Sequence, residues 1–222
     1  MLHPSPCTAE KCVRPSARRD AKPFLSALKV IGLSMPVRKN VEIYAESQPA
    51  DYLYKVIEGA VRCYKILDDG RRQISAFYFP GDIFGLEAGG LHALSAEAIV
   101  DSKVLLIKRT AMFEIAARDN RVARDLWTLV ATELHRMQEH ATILMMSAQE
   151  RVVSFLFEIA DRKASGLEID LPMSRADIAD FLGLTIETVS RTLTQLEKSA
   201  AIALPTCHHV VLRDCGRPLL AP

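Results

Sequence analysis

The sequence predicts an α+β chain in three successive parts: a strand-rich roll, one long helix, and a compact helical unit with a two-stranded wing. Three observations carry this reading. Gly59, Gly70 and Gly81 recur at intervals of eleven residues between short runs rich in β-branched and aromatic side chains. Apolar residues then alternate three and four apart from about residue 118 to residue 146. The segment 173–200, MSRADIADFLGLTIETVSRTLTQLEKSA, reads as two capped helices around one glycine.

At 222 residues, with 49% apolar and 25% charged side chains, the chain has ample length for a buried core and the composition of a soluble globular protein. No apolar run approaches the ~18–20 residues that span a bilayer, and the N-terminus lacks the apolar centre of a signal peptide, so a cytoplasmic protein is expected. Net charge is only +1, and residues 151–222 hold eight Lys/Arg against nine Asp/Glu, a net of −1. A non-specific polyanion binder, which depends on many phosphate contacts, is therefore disfavoured. Five cysteines, an odd number, argue against a disulfide framework, and the Cys7–Cys12 spacing suits neither zinc nor an iron–sulfur cluster.

Residues 1–24 contain Pro4, Pro6, Pro15 and Pro23 and five basic against two acidic groups, and are expected to form a flexible arm. A short helix is expected over 23–31. The roll is assigned to 25–117, with strands in VEIYAE, YLYKVIEGAVRCYKI, RRQISAFYF and AIVDSKVLLIKR. Asp69–Gly70 predicts a hairpin between 64–67 and 73–79. A parallel-sheet enzyme would need helices between these strands, and the sequence shows none there.

The long helix is assigned to 118–147. Its stripe of Trp127, Val130, Leu134, Met137, Ala141 and Leu144, extended to Ala148, has the spacing of a heptad-like seam and is read as a homodimer interface. The competing reading is one amphipathic helix lying on its own domain. Residues 148–222 are assigned to the last unit: a helix over 148–162, a short strand in LEIDLPM, the two capped helices, a hairpin of 202–204 and 210–212, and an irregular tail.

Within that unit Ser174 and Asp177 make a short-armed capping box, Gly183 supplies a turn and Thr185 caps the second helix. Val189, Leu193 and Leu196 then face inward, which leaves Ile186, Glu187, Ser190 and Arg191 on the outer face. Such a helix-turn-helix suits the major groove of double-stranded DNA. The expected DNA-binding set is Ile186, Glu187, Ser190 and Arg191, together with the cap residues Ser174 and Thr185. Arg can donate two hydrogen bonds to guanine, Glu can accept from cytosine, and Ile can meet a thymine methyl.

The order of parts resembles the CRP/FNR family of bacterial transcription regulators. PGDIFGLE (80–87), SAQERVVSFLFEIADR (147–162) and MSRADIADFLGLTIETVSRTLTQLEK carry the likeness, and FGLEAG with SAEAIVDSKVLLIKR is most like the FixK branch. The resemblance implies a cyclic-nucleotide-binding-like β-roll (jelly roll), a dimerisation helix and a winged helix-turn-helix. It also implies a recognition set of Glu187 and Arg191, with Ser190 between them and Ile186 as the subgroup-determining residue. The expected site is an inverted repeat resembling TTGA-N6-TCAA. Activation would need contact with RNA polymerase, for which the loop near Phe84–Glu87, expected to be exposed, is the candidate.

Effector chemistry follows from the same likeness. Cyclic-AMP-responsive members hold the phosphate with an Arg–Ser pair; here Leu94 precedes Ser95, and an anion buried without a cation is costly. An iron–sulfur cluster through Cys7, Cys12 and Cys63 lacks a fourth thiolate. His92, His135 and His140 raise the question of a haem ligand, but a lone histidine in the roll, His92, is read as a polar surface residue, and nothing else marks a haem pocket. Zinc at Cys207, His208, His209 and Cys215 is disfavoured because adjacent histidines aim poorly at one ion. Cys207 is the one redox candidate, with an inert exposed thiol favoured over a switch. The expectation is an activator with no cofactor, metal or membrane partner. The alternatives are an oxygen-, haem-gas- or redox-sensing regulator of the same fold, a ligand-binding dimer without a DNA role, and an enzyme, for which no catalytic constellation is present.

Overall fold

The computed structural model describes residues 32–163 and 166–213. The expected arm, the helix over 23–31, the tail, Cys7, Cys12 and Cys215 lie outside the described residues.

Eight strands build the roll: β1 (Leu33–Val37), β2 (Glu42–Tyr44), β3 (Tyr52–Glu58), β4 (Val61–Ile66), β5 (Arg72–Tyr78), β6 (Ile83–Phe84), β7 (Ser95–Ala98) and β8 (Ser102–Lys108). They pair antiparallel in two sheets, ordered β1-β8-β3-β6 and β2-β7-β4-β5. Alternation places Val37, Tyr54, Val56, Phe84 and Val104 of one sheet against Tyr44, Val61, Cys63, Tyr78 and Ala96 of the other. The Asp69–Gly70 hairpin forms as expected, with Gly70 at φ 81° and Ile66 opposite Arg72.

Two apolar runs each hold two strands that cross between the sheets. At the first crossing Gly59 has φ 87°, and a Cβ there would lie 2.2 Å from Ser102 Oγ and 2.7 Å from the Asp101 carbonyl. That Ser102 hydroxyl also accepts from the Ala60 amide at 3.1 Å, so the corner is closed from both sides.

A helix not read from the sequence, α1 (Arg109–Arg118), closes the segment assigned to the roll, and the expected long helix follows as α2 (Asn120–Ile143). Asp119 separates them in an extended conformation, φ −129° and ψ 106°, and its carboxylate accepts from the Arg121 amide at 2.8 Å. Val122, Leu126 and Leu129 of α2 pack with α1 on the outer face of the β3–β8 sheet. Ala148 does not belong to the seam. It opens α3 (Ala148–Lys163), after Leu144 has already capped α2.

The C-terminal unit contains α3, β9 (Glu168–Asp170), α4 (Arg175–Leu182), α5 (Ile186–Lys198), β10 (Ile202–Ala203) and β11 (His209–Leu212). Its wing is the antiparallel sheet β10-β11-β9. The core of this unit is continuous with the roll. Phe77 of β5 lies 6.2 Å from Phe155 of α3 and 5.1 Å from Phe181 of α4, ring centre to ring centre.

Gly59→Ala is expected to destabilise the chain by about 2 kcal/mol or more, since it meets both a positive φ and a backbone oxygen. Urea denaturation followed by circular dichroism measures this, and Gly70→Ala, whose Cβ would meet open space, is expected to be milder.

Candidate nucleic-acid interface

The reading helix is held from behind. Val189, Leu193 and Leu196 of α5 are buried, whereas Ile186, Glu187 and Arg191 are exposed and Ser190 is half-buried. The structure therefore brings the four sequence-predicted residues onto one solvent-facing surface. Thr185 caps α5 by accepting from the Thr188 amide at 3.2 Å. The Glu187 carboxyl is held below the usual carboxylate range by its own backbone N–H and by the Thr185 hydroxyl, so it is a ready hydrogen-bond acceptor.

Ahead of the turn, the Ser174–Asp177 capping box is complete. Ser174 Oγ accepts from the Asp177 amide at 3.1 Å, and Asp177 Oδ2 accepts from the Ser174 amide at 3.0 Å. Gly183 ends α4 in the left-handed region at φ 62°. Arg151 of α3, which sequence reasoning passed over, donates to the Leu182 carbonyl and to the Met146 carbonyl, both at 2.9 Å. It thereby satisfies the open end of α4 and fastens it to the start of α3. The only sequence signal was its place inside the string 147–162.

In the wing, His209 Nδ1 lies 2.7 Å from Asp170 Oδ1 and His208 Nδ1 lies 2.9 Å from the Leu171 carbonyl. The two imidazoles thus take separate partners. Cys207 is exposed at the wing turn. Among the described residues no group of three His, Cys, Asp or Glu side chains could hold a metal ion.

The seam of α2 faces outward. Trp127 is 73% exposed, Val130, Leu134, Met137 and Ala141 are exposed, and Leu144 is half-buried. Its roll-facing stripe is instead Val122, Leu126, Leu129, Glu133 and Arg136. Glu133 accepts from the Tyr78 hydroxyl at 2.6 Å, and Arg136 meets Asp82 at 3.3 Å.

Two expectations for the roll are corrected. His92 is not a surface residue: it is 2% exposed and stacks on Tyr44 with centroids 3.6 Å apart, because the aromatic interior takes its flat ring. The loop near Phe84–Glu87 is not exposed either. Phe84 and Gly85 are buried and Leu86 and Glu87 half-buried, with Arg109 donating to the Glu87 carbonyl at 2.6 Å; exposure begins at 88–91. On α2, His140 is half-buried and stacks on Phe181 at 4.1 Å, whereas His135 is exposed. Burial pushes the Cys63 thiol up to about 12, so it is a poor source of a ligating thiolate.

Comparison with known proteins agrees with this anatomy. A cyclic nucleotide-binding domain model matches residues 35–119, and a Crp-like helix-turn-helix domain model matches residues 150–217. That pairing defines a CRP-type transcription regulator that binds DNA through its helix-turn-helix. Nitrogen fixation regulation protein FixK of Azorhizobium caulinodans is 44% identical over 220 residues, which cover 96% of this chain and 88% of that protein. Transcriptional activatory protein AadR of Rhodopseudomonas palustris is 40% identical over 167 residues, covering 73% and 70%. The solved structure of FixK2 from Bradyrhizobium japonicum matches with a TM-score of 0.79 at 48% identity, covering 83% of this chain and 93% of that one. The chain belongs to the CRP/FNR family of transcription regulators, alongside the FixK proteins. No helix among the described residues is long and apolar enough to cross a membrane.

Burial lowers the pKa of His140, which keeps its ring neutral against Phe181. The unfolded chain therefore takes up this proton first as pH falls below about 6.5, and stability drops there. His140→Phe is expected to lose less stability than the wild type between about pH 6.5 and pH 5. Paired urea titrations across that range check it, and parallel curves would contradict it.

Proposed function

We propose that the chain is a homodimeric activator that reads an inverted repeat resembling TTGA-N6-TCAA and needs no small-molecule effector. The observation that carries this reading is the outward surface of α5, where Ile186, Glu187, Ser190 and Arg191 are presented by a helix whose other face is buried. Arg191 donates to guanine, Glu187 accepts from the paired cytosine's amine, Ile186 meets a thymine methyl and Ser190 bonds a neighbouring base or phosphate. Ser174 and Thr185, which cap the N-termini of α4 and α5, complete the proposed DNA-binding set.

Pairing through Trp127, Val130, Leu134, Met137, Ala141 and Leu144 is supported by the exposure of the first five along one stripe of α2, with half-buried Leu144 at its end. Large apolar side chains in a continuous exposed stripe mark an interaction surface, and a two-fold pair would place the reading helices about 34 Å apart, in successive major grooves. Activation is supported by the relative named a transcriptional activatory protein. The exposed segment 88–91 is the candidate surface for RNA polymerase.

Effector independence is supported by the interior of the roll. Tyr54–Phe84 and Tyr78–Phe84 stack at 5.2 Å, Tyr44 and Tyr54 meet at a tilt with centroids 5.1 Å apart, and His92 closes over Tyr44. Leu94 packs against this core where the resemblance would place a phosphate-binding cation. Cys207 is assigned no switching role, and the protein is read as working in the cytoplasm.

Arg191→Ala is expected to weaken binding to the TTGA repeat by roughly 1–3 kcal/mol and to relax preference at the guanine, with little change on scrambled duplex. Equal loss on both duplexes in a fluorescence-anisotropy titration would contradict the assignment. Leu134→Glu places a charge in the seam and is expected to turn dimer into monomer in sedimentation, with operator affinity falling more than about tenfold.

A further inference from the structure

The reader and the roll meet through a cluster of four charged side chains that base reading does not use. Arg62 of β4 donates through Nη1 to Asp177 Oδ1 at 2.8 Å and through Nη2 to Glu97 at 2.7 Å. Arg72 of β5 donates through Nη2 to the same Asp177 Oδ1 at 2.7 Å and through Nε to Asp180 Oδ2 at 2.8 Å. The side chains of Arg62 and Asp177 are 10% and 4% exposed, while Arg72 and Asp180 sit nearer the rim. Gln73 Nε2 adds a contact to the Phe181 carbonyl at 3.4 Å.

Two arginines from neighbouring strands thus grip two carboxylates one turn apart on α4. The aromatic contacts beneath, Phe77 with Phe155 and Phe181, are non-directional and tolerate a small slide. Charge-assisted hydrogen bonds from planar guanidinium groups fix angle as well as distance. The covalent route from α2 to the reader, by contrast, is the short turn 144–147. In a symmetric pair, any pivot of the reader about that turn occurs in both protomers, so its effect on reader separation is doubled. Moving a half-site by one base pair shifts it about 3.4 Å along the duplex and about 35° around it. A tilt that moves each reader by about half that distance would change the preferred spacer.

We propose that Arg62, Arg72, Asp177 and Asp180 form a spacing latch: they are positioning residues that hold α4 at one angle to the roll and so set the distance between the two half-sites the dimer accepts. The latch rests on the dimeric, inverted-repeat reading above.

Its test compares affinities for TTGA inverted repeats with spacers of five, six, seven and eight base pairs, measured with the full chain. The wild type is expected to favour the six-base-pair spacer. Arg72→Gln and Asp180→Asn are each expected to cut its preference over the seven-base-pair spacer by roughly fivefold or more, with the double variant no worse than Arg72→Gln alone. Partial unfolding lowers the active fraction equally on all four duplexes and leaves the ratio unmoved, so the ratio isolates positioning from stability. A ratio within twofold of wild type in both variants overturns the latch while leaving base reading intact. A wild type that binds none of the four overturns the base reading and the latch with it.

Discussion

A carboxylate as buried as Asp177 is stable only when both of its oxygens are engaged. Oδ2 closes the capping box at the start of α4, and Oδ1 accepts from Arg62 and Arg72 of the roll. One side chain therefore joins a local decision, where the first helix of the reader begins, to a tertiary one, where that helix sits. The arrangement is not the most stabilising use of the site, because apolar side chains of similar volume often do as well. What the charges add is direction. Removing one partner strands the other in a dry place, so intermediate orientations are penalised.

The remaining contacts spread that constraint through the molecule. Phe77, Phe155 and Phe181 supply buried area between roll and reader. Tyr78, Asp82, Glu133, Arg136 and Arg162 tie roll, α2 and α3 together, with Arg162 reaching Asp82 at 2.7 Å and the Phe77 carbonyl at 2.7 Å. Arg151 closes the far end of α4. The outward faces of α2 and α5 are then both held by one continuous framework, which is what the proposed pairing would require.

The reader was legible in the sequence because its determinants are local. Ser174, Asp177, Gly183 and Thr185 act within a few residues of themselves, and the period of Val189, Leu193 and Leu196 points inward without reference to any other element. The strands were legible as runs but not as sheets, since Gly59 and the segment 99–101 change sheet, and sheet membership depends on pairing far along the chain. The helix α1 was missed because it follows β8 directly, inside the segment assigned to the roll. Most of the junction was invisible. Asp177 shows its cap in sequence but not its arginines, which lie 115 and 105 residues away. The burial of His92 was missed for the same reason: its ring is enclosed by Tyr44, far off in sequence.

The aromatic filling of the roll and the ionic junction point to a regulator whose reading geometry is built into its fold. The most direct measurement is selection by the full-length protein from a pool of random duplexes. The expected product is a two-fold inverted repeat with TTGA-like arms at one dominant spacing, enriched equally with and without cyclic nucleotide. Enrichment of single unpaired arms or direct repeats, or enrichment only when cyclic nucleotide is added, would contradict the account.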